Sequence, residues 1–313
     1  MALIIGEQET IKSIDMPRAL KVVEKIFQDR ATGKVRSLPR RRLKSSHKQL
    51  NVMAAWQADW DLLCLRAYTS HANTITLYQG RTGEIRAVLN ARYLSGLRTG
   101  AASGVAAKYL RPPRSDIMGI IGPGRQATFQ LEAMVYSCGV RKVLVFGRNP
   151  KKRKEFIQKM RKKLPVEVKE SLSSKEIEAE SDILVLATNA SSPLIHGSRI
   201  KNEVLIISMG ANQQVKHEVS GKLIQRMDLV VTDDLPTAEH DSGDLIAACQ
   251  AGIIQWKDVV PLERVLSGAM PKRRPKRILF QSNGIADEDL AIGHAVLDEV
   301  RRKRMRTRKI SEI

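Results

Sequence analysis

Gly122-Pro123-Gly124-Arg125-Gln126-Ala127 stands between an apolar run at 117–121 and a stretch with helical spacing. Strand, glycine turn and helix in that order make a dinucleotide-binding unit. Each residue type has a task. Gly122 permits a tight turn, Gly124 lets backbone approach a pyrophosphate, and Ala127 is small enough for close helix–strand packing. The helix opened by Arg125 and Gln126 turns its free N–H groups toward the same negative charge.

A second apolar run, 142–146, ends about 20 residues beyond Ala127, where the ribose-reading position falls. A unit that prefers NAD carries Asp or Glu there. This chain instead reads Gly147-Arg148-Asn149-Pro150, followed by Lys151-Lys152-Arg153-Lys154. The planar fork of Arg148 matches the oxygens of a 2′-phosphate, so the residues point to NADPH, with NADH the lesser cofactor. Most of the remaining cations read as the solvated face of the next helix.

The elements that must hold these residues follow from periodicity. From Asp116 apolar runs alternate with helical patterns, at 183–187, 204–208, 229–232 and 277–280. That predicts an α/β fold with a Rossmann-type doubly wound parallel sheet over 116–280, its ligand at the carboxyl ends of the strands. Thr188 and Asn189, Met209 and Gly210, Asn212, Asp234 and Ser282 fall at those ends. Residues 1–115 and 281–313 lack the alternation and are expected to form a second, α+β domain. It has a helix over 19–30, strands at 62–65 and 74–78, a hairpin through Arg81-Thr-Gly-Glu84, and a helix of small residues over 100–110.

At 313 residues and 42% apolar, the chain builds a core without staples. Three separated cysteines and six histidines without ligand spacing suggest neither disulfides nor a metal. Reduced cysteines, no signal-peptide pattern and no long apolar run favour a soluble, cytoplasmic setting. The net charge of +20 raises nucleic acid as a partner. Only 4% aromatic residues and no interleaved binding motif argue against it, leaving non-specific polyanion affinity at low salt. Seven cations between Arg301 and Lys309 form a basic tail that carries about a third of the excess.

Four further segments share one pattern: Thr82-Gly-Glu-Ile-Arg-Ala-Val-Leu89, Arg98-Thr-Gly-Ala-Ala-Ser-Gly-Val-Ala-Ala-Lys-Tyr-Leu110, Asp241-Ser-Gly-Asp-Leu245 and Ser282-Asn-Gly-Ile-Ala-Asp-Glu-Asp289. With the glycine turn they make the chain resemble, over nearly its whole length, the ornithine cyclodeaminase/mu-crystallin family. The resemblance implies a nicotinamide-dependent enzyme acting on the carbon–nitrogen bond of a small amino or imino acid. It also implies a homodimer built through the substrate-binding domain. Arg98 then binds the substrate carboxylate, and Arg41, flanked by Arg40 and Arg42, is the best match to a second anchor.

Two departures narrow the chemistry. Arg66 stands where deaminating members carry a lysine, and Asn212 where they carry an aspartate. Arginine does not give up its proton, and asparagine cannot take one. An iminium substrate already carries its proton, so the expected reaction is NADPH-dependent reduction of an imine (ketimine) next to a carboxylate. Tyr68, His71 and Asp234 are candidate proton donors. The alternatives are oxidative deamination of the ornithine cyclodeaminase or alanine dehydrogenase type, and a non-catalytic NADPH-binding protein with a basic partner surface.

Overall fold

The computed structural model describes residues 2–310. Two units divide the chain, one from the residues up to Thr99 together with those from Ile285 onward, the other Gly100–Gly284. The first division falls inside a helix rather than near residue 115, and the second follows Gly284 rather than residue 280.

β1 (Ala2–Ile5), α1 (Glu7–Ser13) and α2 (Met16–Ala31) open the first unit. Asp15 caps α2 by accepting from the Arg18 amide, and Pro17 fits the first turn. Ala19, Val23, Ile26 and Phe27 make its buried face. Five strands then meander: β2 (Val35–Lys44), β3 (Gln49–Gln57), β4 (Leu62–Tyr68), β5 (Asn73–Gln79) and β6 (Ile85–Asn90). α3 (Arg92–Leu110) follows. The run Pro39–Arg42, which composition marks as basic surface, is part of β2. Proline is tolerated there because β2 is an edge strand and is bulged between Leu38 and Arg41.

The second unit alternates strands and helices as expected. In order come β7 (Ile117–Ile121), α4 (Arg125–Cys138), β8 (Lys142–Phe146), α5 (Pro150–Lys163), β9 (Glu167–Glu170), α6 (Ser174–Glu180) and β10 (Ile183–Leu186). β11 (Ser191–Ile195), β12 (Val204–Ser208), β13 (His217–Val219), α7 (Gly221–Ile224), β14 (Leu229–Thr232) and α8 (Leu235–Asp241) continue it. α9 (Gly243–Gln250), β15 (Val259–Pro261), α10 (Leu262–Leu266) and β16 (Arg277–Gln281) complete it. The eight-stranded sheet runs β15-β14-β16-β12-β10-β7-β8-β9, and its neighbours are all parallel. Strand order reverses between β7 and β10, which is where a doubly wound sheet opens a ligand crevice. β10 and β12 are buried along their whole length, as a sheet covered on both faces requires. Small residues in the second half of α3 serve close packing: a Cβ on Gly100 would stand 2.6 Å from the Phe129 carbonyl oxygen of α4.

The chain then returns to the first unit with α11 (Ala286–Arg302) and β17 (Arg308–Ile310). Its sheet runs β17-β1-β6-β5-β4-β3-β2. α11 packs across β2, β3, β4 and β5 and beside α2, covering one face. The basic tail is thus partly ordered: Arg308–Ile310 pairs antiparallel with β1. Among the described residues no helix is long and apolar enough to cross a membrane.

Candidate active site

The glycine turn has the geometry its residue types imply. Gly122 has φ +96°, and a Cβ there would lie 2.5 Å from the Ala187 carbonyl oxygen. Its amide donates to the Phe146 carbonyl at 3.0 Å, tying β7 to β8. Gly124 differs in kind. Its backbone is extended (φ −94°, ψ −170°), and an added Cβ would meet only the Gly122 carbonyl oxygen, at 4.0 Å. Nothing in the protein's own packing requires glycine there. The open space in front of it is the room a pyrophosphate needs, and no side chain caps α4. The first N–H groups of that helix therefore suit a ligand anion.

Beyond β8, Arg148 is exposed and, among the described residues, has neither a hydrogen bond nor an ion pair. Its turn is nevertheless fixed. Arg153 is buried and donates to the Gly147 carbonyl and, at 2.6 Å, to Glu170. Asn149 caps α5 by accepting from the Lys152 amide at 3.0 Å. Asn149 thus has a structural task, and Arg153 is set apart from the solvated cations around it.

At the carboxyl ends of β10 and β12 a buried glutamate organises the backbone. Glu218 accepts from the Thr188 amide and hydroxyl, both at 2.7 Å, from Ser208 Oγ at 2.9 Å and from the Gly210 amide at 2.7 Å. Asp244 lies next to it, accepting from the Glu218 amide at 3.1 Å and the Val219 amide at 3.3 Å. Burial, with the Glu218 charge adding to it, raises Asp244 to about 7 against those hydrogen bonds. Ser242 caps α9. Asp233 joins β14 to the turn after β16, accepting from the Asn283 and Gly284 amides at 2.7 and 2.6 Å. Ser282 is buried there, its amide bonded to the Ser208 carbonyl. Asp234, a candidate proton donor, caps α8 through the Thr237 amide and hydroxyl. Asn189 accepts from Lys216 at 3.2 Å, Met209 is buried, and Asn212 is half-buried in the turn after β12.

The first unit holds a second cluster, made of charge. Arg98 donates to Glu288 at 2.7 Å and lies 3.6 Å from Asp289. Arg66 lies 3.7 Å from the same Asp289 oxygen. Glu288 and Asp289 come from the first turn of α11, and neither is exposed. Arg66 is 1% exposed, and its Nη1 is buried without a hydrogen bond. Burial opposes the Arg98 charge, but Asp289 and Glu288 outweigh it and raise its pKa. At Arg66 burial prevails over Asp289 and lowers the pKa, with the Arg98 charge acting in the same direction. Tyr68 stacks under Arg66, whose Cζ stands 5.2 Å from the ring centroid. His71 is exposed on the β4–β5 turn, bonded to the Ser70 hydroxyl.

Of the four arginines in β2, Arg36, Arg40, Arg41 and Arg42, Arg40 is the buried one. It sits in the bulge opposite Met53, and Met53 pairs with Arg66, so Arg40 shares the covered face. Arg41 pairs with Val52 on the opposite face and is exposed. The bulge thus puts Arg40 on the covered face, whereas the resemblance matched Arg41 best, with Arg40 and Arg42 beside it. Sequence reasoning also passed over Glu288, Asp289 and Glu218. Three consecutive acids opening an apolar helix were the available signal for the first two. Glu218, isolated between Lys216-His217 and Val219, offered none.

A profile of the Ornithine cyclodeaminase/mu-crystallin family matches residues 3–304. The chain is 27% identical over 316 residues to the iminosuccinate reductase of Paracoccus denitrificans, covering 96% of this chain and 97% of that one. Among solved structures, Thermococcus litoralis Delta(1)-pyrroline-2-carboxylate reductase in complex with NADH and L-proline superposes with a TM-score of 0.93 at 28% identity. That match covers 98% of this chain and 100% of the other. An archaeal alanine dehydrogenase dimer with bound NAD gives 0.91 at 27% identity, covering 99% of each chain. The glycine turn, the doubly wound sheet and the profile agree, and the chain belongs to the ornithine cyclodeaminase/mu-crystallin family.

Proposed function

We propose that this protein is a homodimeric, NADPH-dependent reductase of a small imine whose carbon neighbours a carboxylate. The observation that carries the reading is the buried pair Arg66 and Arg98 on Asp289, a site built to hold an anion and lacking a lysine at the position of Arg66. Arg98, kept charged by Glu288 and Asp289, binds the carboxylate and so fixes the adjacent carbon. The unbonded Nη1 of Arg66 supplies a further N–H to the same group. Neither arginine exchanges protons at neutral pH, so the pair suits a substrate that arrives as an iminium.

Gly122, Pro123, Gly124 and the α4 N-terminus (Arg125, Gln126) would hold the pyrophosphate. Arg148 would hold the 2′-phosphate, and Thr188, Asn189, Met209, Gly210 and Ser282 would flank the nicotinamide half. When bound, the reduced nicotinamide supplies a hydride to the imine carbon. Two relatives support this substrate class, since one is named for iminosuccinate and the other for pyrroline-2-carboxylate. Dimerisation is supported by the alanine dehydrogenase dimer and by the uncovered face of the first sheet. Leu38 and Leu43 stand there 67% and 71% exposed, beside Leu50 and Leu63.

Loss of nicotinamide absorbance with Δ1-pyrroline-2-carboxylate or Δ1-piperideine-2-carboxylate, using NADPH and NADH in parallel, tests the proposal. Turnover is expected to favour NADPH by about tenfold or more, and Arg148→Ala to remove that preference. Equal turnover with both cofactors would overturn the NADPH assignment. Dinucleotide binding with no turnover of either imine would overturn the reductase.

A further inference from the structure

We infer that Glu218 is a positioning residue for the nicotinamide half of the dinucleotide. The inference rests on the dinucleotide reading above. In a doubly wound sheet whose order reverses between β7 and β10, the adenosine half lies over β8 and the nicotinamide half over β10 and β12. The turns that leave β10 and β12 are the two that Glu218 joins. One carboxylate oxygen takes the amide and hydroxyl of Thr188, and the other takes Ser208 Oγ and the Gly210 amide. Four donors converge on one unexposed side chain.

The space is tight around it. A Cβ on Gly210 would lie 2.5 Å from Glu218 Oε1, so the glycine is what lets the second turn close on the carboxylate. Glu218 is itself held from behind, because Asp244 accepts its amide and that of Val219. Ser208 Oγ lies 2.9 Å from Glu218 and 3.3 Å from Asp244 and has a single proton to give. The shorter contact takes that proton, so a proton on Asp244 satisfies the longer one. His217 Nδ1, 3.5 Å from Asp244, is the other titratable group on the pair. Glu218 is therefore built as an acceptor of four bonds, and an amide of the same shape cannot replace it: its NH2 would face an N–H donor at one turn or the other.

The test compares the affinity of NADPH with that of its fragment lacking nicotinamide, 2′-phospho-ADP-ribose, by calorimetry on the full chain. NADH and ADP-ribose are measured in parallel. Glu218→Gln should weaken the whole dinucleotide about tenfold or more and leave the fragment within about twofold, since one charge-assisted bond is worth that much. Thr188→Val, which deletes one donor and spares the carboxylate, should shift the same ratio in the same direction by about threefold. Equal weakening of dinucleotide and fragment by both variants would make Glu218 a general structural residue and overturn the assignment. No change in either ligand would overturn it as well. Failure of the unaltered protein to bind either ligand would remove the dinucleotide reading and this inference with it. Binding by the unaltered protein with an unchanged ratio in the variants removes only the role of Glu218.

Discussion

The two units offer room for anionic groups by opposite means. In the parallel sheet the proposed cofactor site is mostly backbone: an open glycine, an uncapped helix start, and turns tied to one carboxylate. In the other unit the proposed substrate site is a buried set of opposite charges, Arg66 and Arg98 against Glu288 and Asp289. At Gly124 the backbone site is nearly independent of the fold's stability, because that residue packs against almost nothing. The charged site is the reverse. Its binding group is also a structural group, so it cannot be altered without leaving a charge unpaired in the interior.

Breaking the contrast should be hardest at Arg98. Arg98→Leu leaves Glu288 and Asp289 without their strongest partner and should lower unfolding free energy by about 3–5 kcal/mol, along with at least a hundredfold loss of kcat/KM. Denaturant melts and steady-state kinetics read both, and an inactive protein of unchanged stability would end the comparison. The converse variant is Gly124→Asp. It adds a helix cap and a favourable charge at the α4 N-terminus, so stability should hold or rise by roughly 0.5 kcal/mol while dinucleotide affinity falls about a hundredfold. A smaller effect is a pH slope in the parallel-sheet unit. Asp244 is raised to about 7 in the fold against 3.8 for the ordinary group, so the native state binds the extra proton between those values. Stability should therefore decline as pH rises from about 4 through about 7 and level off above, by on the order of 1–3 kcal/mol. Asp244→Asn should flatten that decline in thermal melts taken across the window.

The same contrast explains what the sequence could reveal. A backbone site leaves its mark within a few consecutive residues, so the glycine turn from Gly122 to Ala127 was legible from spacing, as were the buried strands β7, β8, β10 and β12. A charge-pair site joins residues about 190 positions apart in the chain, as with Arg98 and Glu288. Composition cannot say which acid meets which arginine. β2 was hidden for another reason. Its run Pro39–Arg42 shows no strand alternation, yet an edge strand tolerates proline and arginine alike, and its bulge carries Arg40 to the covered face while Arg41 remains outside. The basic run 301–309 likewise suggested an appendage for a partner, whereas its end is a strand in the sheet.

That last strand bears on how many copies can assemble. Arg308 and Lys309 are exposed along one margin of the seven-stranded sheet, and Pro39 with its bulge interrupts the other. Both margins resist hydrogen bonding to a strand from another molecule, one by like charge and one by a missing donor. Open-ended polymerisation through β-augmentation is thereby disfavoured at each side. The leucine-bearing face is the surface proposed for self-association, and a face that meets its own copy about a twofold axis is satisfied by a single partner.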